Sequence, residues 1–395
     1  MKILIVSEMS VPHTSGGGET RYGLLARELS RLGHDVTWLS MRQRACPDEE
    51  TIDGVRHLHR GPRISSPPTR PLAAKLRFMA SVFLHLLARR YDVVDCQTYA
   101  PLPAAWLACT LRRQPIVATI HDTAAAGPKA ADQWLSSLDA LLASRAERLL
   151  VRLPYTRVLT VSAAVQADLV GRMGLPGASV SVVPNAIDID RIEAVPAHPL
   201  PADLVFIGRL VPHKHPEVFL RAAAAVSARR QASGRPPLRL KLVGGGPLAA
   251  QVAAEVDALG LRGALVHLGE VAQHDEVIAH LKSARLLLLP STREGFGLVL
   301  AEAMAAGTAV LAWRLPAVEE TLGEALVDCA LEPDEQQALV QAIERVLDDE
   351  TLRQQRVAIG RARARSHFGA AAFAQGVLEV YQRAIATGAQ RHSSR

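Results

Sequence analysis

Two doubly wound α/β domains in tandem are predicted by three observations. Short, near-continuous apolar runs alternate with helical stretches from end to end, as parallel strands covered on both faces do. The 395 residues are too many for one compact core and suit two domains of ordinary size. The Pro-rich stretch "PNAIDIDRIEAVPAHPLPAD" (184–203) divides the alternation and reads as a hinge.

The elements follow in order. "KILIVS" (2–7) is a strand, and "ETRYGLLARELSRLG" (19–33) is a helix closed by Gly33. "DVTWLS" (35–40), "YDVVDCQ" (91–97), "PIVATIH" (115–121), "RVLTVS" (157–162) and "SVSVVP" (179–184) complete the strands of the first half. Between them, "LAAKLRFMASVFLHLLARR" (72–90) is an apolar, basic helix. It either lies on an anionic membrane or packs on the first sheet, and the packed reading is preferred. The second half opens with "ADLVFIGRL" (202–210). Its further strands are "RLKLVGGGP" (239–247), "ALVHLGE" (264–270), "ARLLLLPS" (284–291) and "TAVLAW" (308–313). The expected domains are 1–183 and 204–370, joined by the hinge 184–203. Residues 371–395 form a last helix, able to cross back to the first domain, and a frayed tail.

Composition narrows the function. The apolar runs fall far short of a membrane span, and "MKILIVSEM" reads as a buried strand rather than a signal peptide, so a cytoplasmic protein is expected. Four scattered cysteines fit reduced thiols. The formal charge of +6 is uneven: residues 1–183 hold 22 Lys and Arg against 15 Asp and Glu, and the remainder 23 against 24. That basic half could meet an anionic acceptor or a membrane surface, or be merely solvated. Nucleic acid is not expected, because 4% aromatic content offers little for base stacking.

Ligands of open α/β sheets bind at the carboxyl ends of the strands, so residues just after strands matter most. "SGGGET" (15–20) follows the first strand. Its glycines allow close backbone approach and the next helix start favours an anion, or it is a plain surface loop. It is not the dinucleotide fingerprint, since Arg21 stands at the third glycine position. "IHD" (120–122) ends a strand, and His121 either meets a sugar hydroxyl or a reacting oxygen, or is a satisfied capping residue. "GRLVPHK" (208–214) offers Arg209 and Lys214, a fork and a point charge suited to a diphosphate. A metal at His213 and His215 is not expected, for no carboxylate or cysteine lies at ligand spacing. "VGGGPL" (243–248) supplies either nucleotide contacts or close packing.

"PSTREGFGLVLAEAMAAG" (290–307) carries the sharpest signal. Pro290 stops a buried strand, "TREGFG" is a loop, and a helix runs from about Leu298 to the cap Gly307. Glu302 stands in a helix otherwise apolar, and a buried carboxylate needs a partner or a ligand. Glu294 precedes it in the loop, and the amides of residues 296–299 make a helix N-terminus between the two acids. Acid, phosphate cradle and acid match a nucleotide-sugar: ribose, diphosphate and sugar.

The set "GGGE", "HD", "VVPNAID", "GRLVPHK", "GGGP" and a Glu–seven residues–Glu with "EAMAAG" resembles retaining glycosyltransferases of family 4, across nearly the whole chain. The resemblance implies a GT-B fold of two facing Rossmann-like domains. It implies that Glu294 binds donor sugar hydroxyls and Glu302 the ribose, and that Arg209 and Lys214 neutralise the diphosphate. Backbone at Phe296, Gly297, Leu298 and Val299 would assist, and Val271 would read the nucleobase. Gly17 and Gly18 would permit approach to donor and acceptor, and His121 would contact the sugar. The implied donor is a UDP- or GDP-linked sugar, used without cofactor or metal, and the implied mechanism retains the anomeric configuration. Acceptor residues would lie in loops near 42–71 and 122–135. A 2-epimerase-like enzyme of the same architecture and a non-catalytic nucleotide-sugar binder are the alternatives. The chain departs from the family at His215, where Gly is usual, and at "WRLP" (313–316), where Trp313 and Arg314 could reshape the pocket.

Overall fold

The computed structural model describes residues 1–13, 16–43, 46–64, 71–97, 100–123, 145–271, 273–333 and 336–393. The chain forms two compact units, Met1–Asn185 with Ala370–Arg395, and Ala186–Gly369.

The first unit is built on an eight-stranded sheet in the order β3-β4-β2-β1-β5-β6-β7-β8. Its strands are β1 (Lys2–Val6), β2 (Asp35–Gln43), β3 (Glu49–Ile52), β4 (Val55–Ile64), β5 (Val93–Gln97), β6 (Ile116–Ile120), β7 (Arg157–Thr160) and β8 (Val180–Val182). All pair in parallel except β3, which runs antiparallel to β4 at the edge. The expected loop at 42–71 is therefore largely a hairpin. Its strands escaped the sequence reading because Arg and His interrupt the apolar pattern in "VRHLHRGPRI". Of the other expected acceptor loop, residues 124–135 lie outside the described residues.

Helices α1 (Gly17–Arg31), α2 (Leu72–Ala88), α3 (Leu102–Arg112), a stretch over 145–151 (α4) and α5 (Ala163–Gly171) connect these strands. Helix α2 buries Ala74, Phe78, Val82 and Leu86 in the core of the first unit and leaves Leu72, Leu76 and Leu84 exposed. That is the packed reading of 72–90. Among the described residues no helix is long and apolar enough to cross a membrane.

The second unit has six strands in the order β11-β10-β9-β12-β13-β14: β9 (Ala202–Ile207), β10 (Leu240–Val243), β11 (Leu265–His267), β12 (Ala284–Leu289), β13 (Ala309–Trp313) and β14 (Ala330–Leu331). Each pair is parallel. The helices are α6 (Ile189–Ala194), α7 (Pro216–Ala232), α8 (Ala249–Ala258), α9 (His274–Lys282), α10 (Leu298–Ala306), α11 (Pro316–Leu322), α12 (Gln336–Asp348) and α13 (Glu350–His367). The stretch 184–203 is thus no plain linker. It holds α6, whose N-cap Asp188 accepts from the Arg191 amide, and β9 already begins at Ala202.

The last helix, α14 (Ala370–Ser393), belongs to the first unit. Its attachment is polar as well as apolar. The Tyr381 hydroxyl donates to the fully buried Asp95 on β5 at 2.6 Å, and Asp95 also accepts from Thr119 at 2.7 Å and Tyr22 at 3.2 Å. Burial pushes the Asp95 carboxyl up, and the hydroxyl donors and the nearby Arg21 charge partly offset that. Arg21 is itself fully buried. Its Nε donates to Asn185 at 2.7 Å, and its guanidinium lies between the Tyr22 and Phe373 rings, 4.9 and 4.8 Å from their centroids. Tyr381→Phe removes one of three hydroxyl donors to a buried carboxylate and is expected to cost about 1–3 kcal/mol. Urea unfolding followed by circular dichroism measures this, and an unchanged midpoint would mean α14 contributes through apolar packing alone.

Candidate active site

In the second unit β9 and β12 are neighbours in the middle of the sheet and run parallel. The segments leaving their carboxyl ends therefore emerge side by side. The β9 segment carries Gly208, Arg209 and a 3-10 turn, Pro212–Lys214. The β12 segment carries Pro290 to Gly297. They are tied by the Thr292 amide donating to the His213 carbonyl at 2.9 Å. Lys214 Nζ then donates to Glu294 Oε1 at 2.5 Å, with both side chains largely buried. Arg209 is exposed and makes no ion pair among the described residues.

The positive field here is visible at His213. Burial lowers its pKa, and the Arg293, Lys214 and Arg209 charges lower it further, to about 3. His215 adopts the left-handed conformation, φ 48° and ψ 55°, as N-cap of α7. That explains why glycine suits this position, and here side-chain bonds hold the strained backbone instead. Nδ1 pairs with Glu217 at 2.7 Å and Nε2 with Thr292 at 3.0 Å. Both ring nitrogens are thus engaged by neighbouring side chains.

Helix α10 starts at Leu298 after Gly297, whose φ of 80° turns the chain sharply into it. Phe296 is buried edge-on against Phe368, with 5.3 Å between ring centroids. Its carbonyl accepts from the Thr321 hydroxyl at 2.5 Å. Leu298 and Val299 form the first turn, whose amides have no partner within the helix. One turn on, Glu302 is buried, as its apolar neighbours require. Its partner is one that motif reading missed: His274, first residue of α9, at 3.2 Å. Burial alone would lower the His274 pKa, but the Glu302 charge and hydrogen bond outweigh it and raise the pKa. Val271 lies three residues before His274, half-buried in the segment after β11.

Close packing is what the glycines of "VGGGPL" provide. A Cβ at Gly244 would lie 1.9 Å from the Gly208 carbonyl oxygen, and one at Gly246 2.5 Å from that of Leu210. The Leu210 amide donates to the Gly245 carbonyl at 2.9 Å, so the loop props the Arg209 segment from beneath. Trp313 is buried as the last residue of β13. Arg314 pairs with Glu319 at 2.5 Å and Glu332 at 2.7 Å and donates to the Ala330 carbonyl at 2.9 Å. In "WRLP", Arg314 thus ties the end of β13 to β14 and α11. Ser291, two residues past β12, is buried, and its hydroxyl has no hydrogen-bond partner among the described residues.

The first unit gathers its own set. His121 follows β6, and its Nε2 donates to Gln97 Oε1 at the end of β5, at 2.9 Å. Burial and the Arg21 charge lower its pKa to about 3, so the ring is neutral and its Nδ1 is an acceptor. A Cβ on Gly18 would sit 3.7 Å from the same Gln97 oxygen, so Gln97 links the two predicted positions. Gly17 and Gly18 are not in a loop, as expected, but form the first turn of α1, capped by Gly16.

Comparison with known proteins agrees with this geometry. The model described as "Glycosyltransferase Family 4" matches residues 15–191, and that described as "Glycosyl transferases group 1" matches residues 189–363. A curated relative, the D-inositol 3-phosphate glycosyltransferase of Kineococcus radiotolerans, is 29% identical, over 96% of this chain and 93% of its own. Sucrose-phosphate synthase from Thermosynechococcus elongatus superposes with a TM-score of 0.78 at 20% identity, over 97% of this chain and 99% of its own. HepE of Anabaena in complex with UDP-glucose superposes with a TM-score of 0.73 at 19% identity, over 96% and 98%. The fold is GT-B, and the protein is a glycosyltransferase. The chain belongs to glycosyltransferase family 4.

The His274–Glu302 pair makes a pH prediction. A raised histidine pKa gives stability that is fully present below the unfolded value of about 6.5 and is lost as pH rises through the higher folded value. The stability difference between the native chain and His274→Asn should therefore be largest below pH 6.5 and shrink above the folded pKa. Denaturation midpoints across pH 5.5–9 test this, and a pH-independent difference would refute the charged pair.

Proposed function

We propose that the chain transfers a hexose-type sugar from a UDP- or GDP-linked donor to a hydroxyl of an acceptor, with retention and without a metal. The observation that carries this reading is the Lys214–Glu294 pair beside the N-terminus of α10. It joins a carboxylate able to accept from sugar hydroxyls to a cation able to meet a diphosphate.

In this reading the first-turn amides of α10 and the Arg209 fork receive the phosphates. Glu302, oriented by His274, accepts from the ribose hydroxyls. As the bond from sugar C1 to the phosphate oxygen breaks, its electron pair goes to that oxygen. Arg209, Lys214 and the helix N-terminus stabilise the growing charge. The acceptor oxygen bonds to C1 on the same face, and its proton passes to the departing phosphate. In the first unit, His121, whose pKa burial lowers to about 3, offers Nδ1 as an acceptor for a hydroxyl. HepE of Anabaena, crystallised with UDP-glucose, supports a UDP-sugar as the first donor to try.

Glu294→Gln keeps the shape but loses the charge that orders both Lys214 and the sugar. Turnover is expected to fall roughly 10²–10³-fold while nucleotide affinity changes little. Lys214→Met should lower both, since it also removes diphosphate binding. Donors are ranked by thermal shift with UDP-glucose, UDP-N-acetylglucosamine and GDP-mannose, and turnover is read as release of the nucleoside diphosphate. If the native chain binds a donor yet neither transfers nor slowly hydrolyses it, the non-catalytic alternative holds instead.

A further inference from the structure

The edge hairpin β3–β4 brings together three residues with no part in the donor reading. His59 on β4 is buried, Glu50 on β3 is half-buried, and His13 lies in the connection from β1 to α1. His13 Nε2 and His59 Nε2 both lie on Glu50 Oε1, at 2.5 and 2.9 Å. The two imidazoles meet edge to face, with centroids 5.3 Å apart and planes at 83°. The three ligand atoms all fall within 4.8 Å of one another.

We propose that His13, Glu50 and His59 form a binding site for a divalent transition metal of the zinc type, which clamps the β1–α1 connection to the β3–β4 edge hairpin. Two imidazole nitrogens and one carboxylate oxygen are a donor set suited to such ions, with a fourth position left for water. Tetrahedral ligands at Zn–N and Zn–O distances of ~2.0–2.1 Å stand about 3.3 Å apart. The hydrogen-bonded distances seen here need to open by less than about 1 Å. The partly exposed His13 and Glu50 side chains can yield that much.

The surroundings support a site rather than a chance cluster. His59 is oriented from behind by Ser40, whose Oγ lies 3.0 Å from Nδ1, and Ser40 in turn pairs with Ser10 at 2.9 Å. Both hydroxyls are buried, and each can reverse its direction. When Nε2 ligates a metal, its proton passes by way of solvent to Nδ1, and Nδ1–H can then donate to Ser40 and Ser40 to Ser10. That is how the second ring atom of a ligating histidine is usually held. Nearby carboxylates are otherwise engaged: Glu49 pairs with Arg56 and Arg60, and Asp48 with Arg42 and Arg63.

The clamp acts on a segment the donor reading depends on. His13 stands four residues before Gly17, where α1 begins. A metal on His13 would fix the chain entering that helix against the sheet edge. Its ligands are none of the residues assigned to glycosyl transfer, so the inference stands apart from the proposed function.

The test uses the full chain, stripped with EDTA and titrated with Zn²⁺ by calorimetry and with Co²⁺ by visible absorption. One equivalent should bind, Co²⁺ should develop the intense d–d bands of a low-coordinate nitrogen and oxygen site, and the thermal midpoint should rise with Zn²⁺. His13→Ala and Glu50→Ala, both at partly exposed positions, should each weaken binding at least ~10-fold. Ser40→Ala, which touches no metal, should weaken it roughly 10-fold through the orientation of His59. His59 is left intact because its burial ties it to the core, and circular dichroism confirms that each variant is folded. The inference is overturned if the native chain shows no saturable binding, or if the His13→Ala/Glu50→Ala double variant binds equally well. Either result would make the cluster a purely structural His–Glu–His hydrogen-bond network.

Discussion

The parallel pairing of β9 with β12 is the constraint on which the second unit's chemistry depends. Two strands far apart in sequence become neighbours, and their carboxyl ends release the Lys214 and Glu294 segments at one point. The ammonium of one segment then finds the carboxylate of the other at 2.5 Å. Neither charge could be so largely buried alone, because a buried unpaired ion costs far more than the pair. The glycines of the β10 turn hold this arrangement from below, by letting one backbone rest directly on another.

A similar economy governs Glu302 and Asp95. Each is a carboxylate in an apolar setting, and each is reconciled with burial differently. Glu302 acquires a nearby imidazole, His274, whose pKa rises as a result. Asp95 is served by hydroxyls of Thr119, Tyr22 and Tyr381, and burial pushes its own pKa up. The first arrangement leaves an imidazole–carboxylate pair, partly accessible at His274 and suited to polar ligands. The second makes a neutral-donor network that fastens the C-terminal helix to the first sheet. The same physical problem thus has a candidate functional solution in one unit and a structural one in the other.

Much of this was legible in the chain. The eleven strands read from apolar runs are all present, since a strand buried on both faces must be apolar almost throughout. The start of α10 at Leu298 and its end at Gly307 followed from one stop signal and one cap. Where polar residues broke the runs, as in β3 and β4, the pattern was silent, because an edge hairpin has a solvated side. Gly17 and Gly18 were misplaced into a loop because glycine signals a turn and a helix start alike.

The sequence by itself determined the strand–helix alternation, the buried position of Glu302 and the family to which the chain belongs. Those properties are local, written in periodicity, in caps and in short motifs. Only the tertiary structure decided the partners. His274 for Glu302, Gln97 for His121, Tyr381 for Asp95 and Glu50 between His13 and His59 are all separated in sequence by 9 to 286 residues. Spacing along a chain says nothing about such pairs, because strand order in a sheet, not sequence order, sets which carboxyl ends and which edges come together.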